Sequence, residues 1–165
     1  MDRLLEAYDG DYDVSLYHHS DDALWPLIGR AFADNRIRRE LGAPMASDEN
    51  HHWLVVTKGR ELTAFGGAKV RGNTAALRHA YVYPAHRGRG VFAAMLARGL
   101  DLLDEHGVTR ISTCCTPMSR DAHLAAGFIE TGRRGQYHLM GYDRILASGI
   151  AAINHREVAA RALPL

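Results

Sequence analysis

The segment with the clearest chemistry is a glycine-rich loop, Arg87–Gly90, which lies between a strand-like run and a long helical pattern. Gly88 and Gly90 have no Cβ atom, so the backbone can turn sharply and a ligand can approach its N–H groups closely. The first N–H groups of a helix have no partner within it, and the helix dipole gives that end partial positive charge. Arg87 and Arg89 add fixed charges with fork geometry. The pattern predicts an anion site that suits phosphate.

Known phosphate loops narrow the kind of ligand. A Walker loop needs glycine, then lysine, then serine or threonine, and the sequence has no such string. A dinucleotide fingerprint needs a third glycine and an acidic residue on the next strand. Ala93 stands at the third glycine position, and the following run, Thr109–Cys115, has no acid. On this segment alone, phosphate binding and an ordinary connection between strand and helix both stay open.

The loop lies within alternating strand-like and helical patterns. After it, Phe92, Leu96 and Leu103 recur on one helical face, and a glycine at 107 ends that helix. Before it, short turns join three strand-like runs, which predicts an antiparallel meander. A strand, a helix and a strand in succession then predict a parallel pair with a right-handed crossover. The four predicted strands are Trp53–Thr57, Leu62–Val70, Ala75–Tyr83 and Thr109–Cys115.

Weaker patterns flank this centre. Ser20 followed by two aspartates is typical of a helix start, and apolar residues over 23–32 continue that helix with Pro26 in its second turn. Together the patterns predict an α+β fold with a central mixed, mostly antiparallel sheet and helices on both faces. The other predicted elements are strands at Tyr12–His19, Phe128–Thr131 and Tyr137–Leu146, and helices at Asn35–Leu41, Ser119–Ala126 and Ile150–Ala162.

This order of elements resembles the GNAT superfamily of acyl-CoA N-acyltransferases, on motifs between Tyr81 and Phe128. In that family a loop of pattern Arg/Gln-x-x-Gly-x-Gly/Ala holds the pyrophosphate of acetyl-CoA, and Gly90 matches its first glycine. Phe92 stands where the second small residue is usual, so its side chain would have to point into the core. The resemblance implies acetyl-CoA as cosubstrate. The residues it assigns to cofactor binding are Val82, Arg87, Gly88, Arg89, Gly90, Val91 and Phe92.

The resemblance also implies roles in an acyl transfer. Attack of an amine on a thioester needs a proton acceptor, a donor to the oxyanion and an acid for the thiolate. The N–H of Val82 matches the position that binds the thioester carbonyl, and Thr113–Cys115 would contact the pantetheine arm. His123 occupies the position of the family's usual tyrosine acid. Histidine titrates near neutral pH and can protonate a thiolate, although a packing role in the short helix is equally open.

No motif defines the general base. His79 lies in the strand that leads to the loop, and alternation places Tyr81 on the same face. We predict His79 as the base, relaying the amine proton through water. His51 and His52 enter another central strand and are alternatives, and a surface or core role stays open for all three histidines. No set of histidines and carboxylates has the spacing of zinc ligands, so no metal is predicted.

The two cysteines, Cys114 and Cys115, are adjacent. A disulfide between neighbours would be strained, and a reduced environment is therefore expected. Their strand is rich in β-branched and apolar residues, which favours packing over a role as nucleophile. Because neighbouring residues on a strand point to opposite faces, one thiol is expected near the cofactor.

The acceptor amine is not identified by the sequence. Two basic stretches, Arg30–Arg39 and Arg133–Arg134, could steer an anionic acceptor, although neighbouring acids such as Glu40 favour an ordinary solvated surface. Small amines and peptide N-termini stay open, and an amine on a nucleic-acid base is a minority alternative. The departures at Phe92 and His123 motivate a second hypothesis, a catalytically silent module that binds CoA or a partner.

Composition limits the class of protein. The chain has 165 residues, 47% hydrophobic and 24% charged, with a net charge of +1, which is typical of one globular domain and excludes a disordered chain. With no signal-peptide core and no apolar stretch near the roughly 18 residues of a membrane span, we expect a cytoplasmic monomer or homodimer. The predicted domain covers 1–165, with substrate-side helices in 1–50, a CoA-binding core in 75–128 and a tail helix in 149–165.

Overall fold

The computed structural model describes residues 2–3 and 12–149, and these form one mixed sheet with helices on both faces. Its strands are β1 (Asp2–Arg3), β2 (Asp13–His18), β3 (His51–Lys58), β4 (Glu61–Arg71), β5 (Thr74–Val82), β6 (Arg110–Cys115), β7 (Ile129–Arg134) and β8 (Tyr137–Asp143). Its helices are α1 (Trp25–Ala33), α2 (Asn35–Leu41), α3 (Val91–Glu105) and α4 (Pro117–Ala125), with a single 3-10 turn at Pro84–His86. Residues 144–149 are also helical.

The strand order is β1-β2-β3-β4-β5-β6-β8-β7. Every neighbouring pair is antiparallel except β5 and β6, which are parallel and are joined through α3. This confirms the predicted meander and the predicted crossover, both of which follow from short turns before the loop and a long helix after it. The α+β prediction is therefore confirmed.

The two faces of the sheet bury different clusters. One face packs α1 and α2 over a cluster that includes Ile28, Ile37, Trp53 and Phe65. The other face packs α3 through Met95, Leu100 and further apolar residues of that helix. Because β5 and β6 lie in the middle of the sheet, anything that opens the gap between them connects the two faces.

The starts of two predicted helices differ from the structure. The structure begins α1 at Trp25, so Pro26 lies in its first turn and not in the second, and no Ser20 cap is formed. Proline is tolerated there because its missing N–H would have no helical partner. Likewise α4 begins at Pro117, two residues before the predicted start at Ser119. The predicted tail helix at Ile150–Ala162 lies outside the described residues.

A bulge in β5 opens the centre of the sheet. Between the pairs Phe65–Tyr81 and Gly67–Arg78, β4 has one residue and β5 has two. His79, one of those two, has φ of 55°, the positive-φ non-glycine residue of the described chain. A bulge bends its strand and increases the local twist. Beyond it β5 and β6 diverge, because their pairing covers only residues 74–76 of β5.

Gly67 is expected to be essential to this bulge. A Cβ atom there would lie 3.2 Å from both the Arg78 carbonyl oxygen and the Trp53 ring, closer than ordinary contacts, whereas at Gly66 the nearest atom is the Met95 methyl at 3.6 Å. We expect Gly67→Ala to lower the free energy of unfolding by about 1–3 kcal/mol, the usual cost of overpacking. Gly66→Ala is the matched control and should stay close to wild type in urea denaturation. Equal stability of the two variants would contradict this packing.

Candidate active site between the diverging strands

A cleft of about 620 Å³ passes through the sheet where β5 and β6 diverge. The glycine loop and the first turns of α3 line one part of it, and the end of α2 lines another. Of the residues that the sequence singles out, the cleft takes in His79, Val82, Arg87, Gly88, Gly90, Val91, Phe92 and His123. The side chain of Arg89 is exposed outside this lining.

The loop presents a row of backbone donors. Gly90 has φ of 73° and caps α3, and Gly88 has φ of 72°. The first helical hydrogen bond runs from the N–H of Ala94 to the carbonyl of Gly90 at 3.0 Å. The N–H groups of residues 88–93 donate to no acceptor among the described residues. Six consecutive donors at a helix N-terminus form a site for an anion.

The start of the loop is fixed by a buried histidine. His86, in the 3-10 turn before the loop, lies with Nδ1 3.1 Å from the Tyr12 hydroxyl and Nε2 3.3 Å from a Glu61 carboxylate oxygen. Both ring nitrogens are therefore held by side chains, one from Tyr12 just before β2 and one from β4. These contacts tie the loop to the sheet, so its donors are held in place before any ligand arrives.

The sequence suggests that Arg87 directs its charge at the loop. In the structure its side chain reaches across the cleft instead. Its Nε donates to the Val82 carbonyl oxygen at 2.8 Å, and its Nη2 pairs with Glu40 at the end of α2. The guanidinium also lies 5.2 Å from the centre of the Tyr81 ring. The guanidinium is therefore engaged away from the loop, and the backbone N–H groups are the donors that the loop itself leaves without a partner among the described residues.

The amide of Val82 faces the opened gap. The N–H of Tyr83 donates to the Thr63 carbonyl of β4 at 2.9 Å. Hydrogen bonds alternate along an antiparallel strand, so the N–H of Val82, one residue earlier, points away from β4. Since β6 pairs with β5 only as far as Ser112, this N–H is directed into the cleft. It is a donor that the β-ladder leaves available.

His123 is buried beside the loop helix. Its Nδ1 lies 2.7 Å from the Ser119 carbonyl oxygen, which can only accept, so Nδ1 carries the proton. Its ring lies against Phe92 and Phe128, with centroids 5.5 and 5.2 Å apart. Burial lowers the pKa of His123. The neutral ring therefore offers only a lone pair at Nε2, and it can give up a proton there only after it has become imidazolium.

Phe92 fits the fold without closing the loop. Its side chain is half-buried and packs against both apolar clusters under α3. The expected inward orientation of this ring is therefore present. The residue's N–H remains in the row of loop donors, because a side chain that points into the core does not cover the backbone.

His79 is the one predicted base candidate that lines the cleft. Its ring stacks on Trp53 with centroids 6.2 Å apart, and burial is the largest cause of its lowered pKa, followed by the charge of Arg78. His51 and His52 lie outside the cleft lining. The Nδ1 of His51 is instead 2.9 Å from Asp48. A half-buried imidazole that is neutral at pH 7 is suited to accept a proton.

Tyr81 and Glu40 also line the cleft and contact each other. The Tyr81 hydroxyl donates to Glu40 at 3.3 Å. Burial raises the pKa of Tyr81, so it stays protonated at neutral pH. The hydrogen bond from Arg87 lowers the pKa of Glu40 and makes it a weak base. Sequence reasoning gave Glu40 no role in the site, and its only sequence signal is an acid among the arginines of α2.

The two cysteines separate as alternation requires. Cys115 is buried in the cluster under α3, and Cys114 is exposed on the opposite face. Both line the cleft. Burial raises the pKa of the Cys115 thiol, so this residue is a thiol and not a thiolate at neutral pH. Packing therefore accounts for Cys115.

The basic stretches that the sequence pointed to, 30–39 and 133–134, contribute no arginine to the cleft lining, although the charge of Arg36 helps to lower the pKa of Glu40, which lines it. Arg133 pairs with Glu130 at 3.2 Å. Within the described residues no group of histidine, cysteine and acidic side chains is placed to hold a metal ion. In the same part of the chain, no helix is long and apolar enough to cross a membrane.

Solved structures share this fold at low sequence identity. Escherichia coli ElaA has a TM-score of 0.66 at 14% identity, covering 80% of this chain and 99% of that one. The ribosomal-protein-S18-alanine N-acetyltransferase from Escherichia coli has a TM-score of 0.63 at 18% identity, over 79% and 94% of the two chains. Spermidine N-acetyltransferase from Vibrio cholerae, solved with CoA and spermine, has a TM-score of 0.64 at 15% identity, over 81% and 97%.

Sequence comparison assigns the family independently of the coordinates. A search of curated proteins finds no significant match. The sequence pattern of the Acetyltransferase (GNAT) family matches residues 2–128, which is more than half of the chain. The strand order, the opened gap and the glycine loop agree with that match. The chain belongs to the acetyltransferase (GNAT) family.

Proposed function

We propose that the protein transfers an acetyl group from acetyl-CoA to a primary amine by direct attack in a ternary complex. The observation that carries the proposal is the cleft itself, which joins the loop of unpaired donors to the opposite face of the sheet through the gap between β5 and β6. Two substrates can therefore meet from opposite faces. The related folds include two N-acetyltransferases, one of them solved with CoA and spermine, which supports the amine and the CoA thioester.

The chain's residues fit a CoA thioester. The donors of residues 88–93 would hold the pyrophosphate. The opened edges of β5 and β6 offer backbone groups to the extended pantetheine arm, as a neighbouring strand would. The N–H of Val82 would donate to the thioester carbonyl oxygen and stabilise the negative charge that develops there. These are all backbone groups, so the departure at Phe92 removes none of them.

His79 would accept the proton that the amine loses. The new bond joins the amine nitrogen to the acyl carbon, and the bond from that carbon to sulfur breaks. The amine proton passes to His79 through water, because the ring lines the cleft and is neutral at pH 7. The leaving thiolate takes a proton from His123 when that ring is charged, and otherwise from solvent.

The properties of the two cysteines favour direct attack by the amine over a route through an acyl-enzyme intermediate. A cysteine nucleophile needs to be a thiolate next to a base. Burial raises the pKa of Cys115, and Cys114 has no hydrogen bond to a histidine among the described residues. Initial-rate kinetics with both substrates varied should therefore give intersecting double-reciprocal lines.

His123 is expected to contribute mainly at low pH. Its donor form is the imidazolium, and a pKa lowered by burial means that this form disappears as pH rises through values below 6.5. We expect His123→Phe, which keeps the ring volume, to lower kcat about tenfold at pH 6, less than the roughly 100-fold minimum for acid catalysis because only part of the rings is charged there, and less than about twofold at pH 8. Saturating acetyl-CoA keeps binding out of the comparison. An equal loss at both pH values would assign His123 to packing.

The proposed activity is tested by thiol release. Purified protein is mixed with acetyl-CoA and a panel of amines, and free CoA is followed with a thiol reagent. Release that depends on both the amine and the protein, with an acetylated product in mass spectrometry, is the expected result. Tight CoA binding without turnover for any amine would instead support the catalytically silent module.

A further inference from the structure

A second, smaller concavity of about 270 Å³ lies beside the cleft on the face opposite α3. The register pairs Ala76 with Lys69 on one side and with Ser112 on the other. Ala76 and Ser112 have small side chains, and the longer side chains of the neighbouring positions surround them. The lining consists of Lys69, Arg71, Thr74, Ala75, Ala76, Arg78 and Ser112. Three strands thus bring three cations and two hydroxyl groups to one hollow.

The charges of this hollow are not balanced within the described chain. Lys69 pairs with Asp48. Arg71 and Arg78 are exposed and form no ion pair with any described residue. Thr74 uses its hydroxyl proton on the Arg71 carbonyl oxygen at 2.9 Å, and this bond closes the strand turn below the hollow. Two guanidinium groups without a carboxylate favour an anion, and their planar fork suits phosphate oxygens.

The position of the hollow relates it to the reaction. Arg78 lines both the hollow and the cleft. It directly precedes His79 and stands four residues before Val82, at most about 13 Å away along the strand, because the bulge between them bends the backbone. The flexible arginine side chain shortens that distance. One molecule can therefore place an anionic group in the hollow and an amine in the gap between the strands.

We propose that the acceptor amine carries a phosphate group, which Arg71 and Arg78 hold in this hollow. This inference rests on the proposed function, since it concerns the second substrate of the same cleft. It explains why cations that are distant in sequence from the glycine loop gather next to the acceptor side. The phosphate could belong to a small phosphorylated amine, as a monoester, or to a nucleic acid, as a diester, and both present phosphate oxygens to the two guanidinium groups.

The test compares acceptors that share an aminohexyl group and differ in what is attached to its far end. The probes are 6-aminohexanol, 6-aminohexyl phosphate, in which roughly 10 Å separate nitrogen and phosphorus, and an oligonucleotide with the same aminohexyl group on its 5′-phosphate. We expect kcat/KM to be at least about tenfold higher with phosphate, the gain of one charge-assisted contact. A larger gain for the monoester indicates a small acceptor, and a larger gain for the oligonucleotide indicates a nucleic acid. Equal kcat/KM for all three probes would overturn the proposal.

Variants connect the preference to the hollow. Arg71→Gln and Arg78→Gln should bring the ratio of kcat/KM for 6-aminohexyl phosphate over 6-aminohexanol close to one. Arg60→Gln, an exposed arginine in the turn between β3 and β4, is the matched control and should keep the wild-type ratio. An unchanged ratio in both hollow variants would overturn the assignment of the hollow.

A binding experiment separates this inference from the proposed function. With the glycine loop saturated by desulfo-CoA, calorimetric titration with 6-aminohexyl phosphate should show one site that weakens in Arg71→Gln. That result would support the hollow even if no acetyl transfer occurred with any amine. Turnover of amines that lack a phosphate group, together with no phosphate-dependent binding, would support the proposed function and overturn the phosphate site.

Discussion

Replacing Gly90 with valine is expected to abolish acetyl-CoA binding, with a loss in affinity of at least about 100-fold. Gly90 has φ of 73°, and a left-handed backbone costs a side-chain-bearing residue about 1–2 kcal/mol, more for a β-branched one. Relief of that strain turns the peptide that begins α3 and misaligns the row of donors. Each lost hydrogen bond to a charged group removes about 1.5–3 kcal/mol. Calorimetric titration with desulfo-CoA measures the change.

Gly72→Val is the matched control for this experiment. Gly72 lies in the turn between β4 and β5, has φ of 57°, and has open space around its Cβ position. The variant carries the same backbone strain but lies outside the cleft lining, so it should bind desulfo-CoA as the wild type does. If Gly90→Val kept its affinity while it remained folded by circular dichroism, the phosphate loop would be misplaced.

His79→Asn is expected to lower kcat about 100-fold, at the lower end of what a positioned base contributes, without a change in the affinity for acetyl-CoA. Asparagine is chosen because it tolerates the positive φ of this position, which is 55° in His79. The bulge should therefore persist while the imidazole is removed. Rates at saturating acetyl-CoA and a separate titration with desulfo-CoA distinguish catalysis from binding.

The role of His79 as a base also predicts the direction in which kcat changes with pH. A base acts in its neutral form, and burial lowers the pKa of His79 below the ordinary 6.5. In the wild type kcat should therefore rise as pH rises through that lowered pKa and level off near neutral pH, and His79→Asn should lack this rise. His52→Asn is the control, because burial also lowers the pKa of His52 but the residue lies outside the cleft lining. A rise that survives in His79→Asn would assign the base to another group.

The parts of the fold that the sequence predicts well are those with local signals. Gly42 ends α2 in the left-handed conformation, and the predicted bounds Asn35–Leu41 agree with the structure. The loop and α3 were predicted because glycine content and helical spacing act within a few residues. The start of α1 was predicted wrongly because Ser20 and its acidic neighbours carry a capping signal that the chain satisfies with a turn instead.

The parts of the site that sequence could not give depend on strand register. One extra residue in β5 decides where the sheet opens and gives His79 its positive φ. No local sequence motif predicts this bulge. The partner of Arg87 is Glu40, which lies 47 residues away in sequence. The hollow likewise exists because the register of β4 and β5 places Arg78 on the same face as Lys69 and Arg71. Basic runs along the sequence pointed to other arginines.

The most direct test of the acyl-CoA site is a calorimetric titration of the wild-type protein with desulfo-CoA, a CoA analogue that cannot carry an acyl group. We expect one site per chain with a dissociation constant below about 100 µM, within the usual range for enzyme substrates, and with heat that disappears in Gly90→Val. Absence of binding at about 1 mM would contradict the central claim that the glycine loop and the opened strands form an acyl-CoA site.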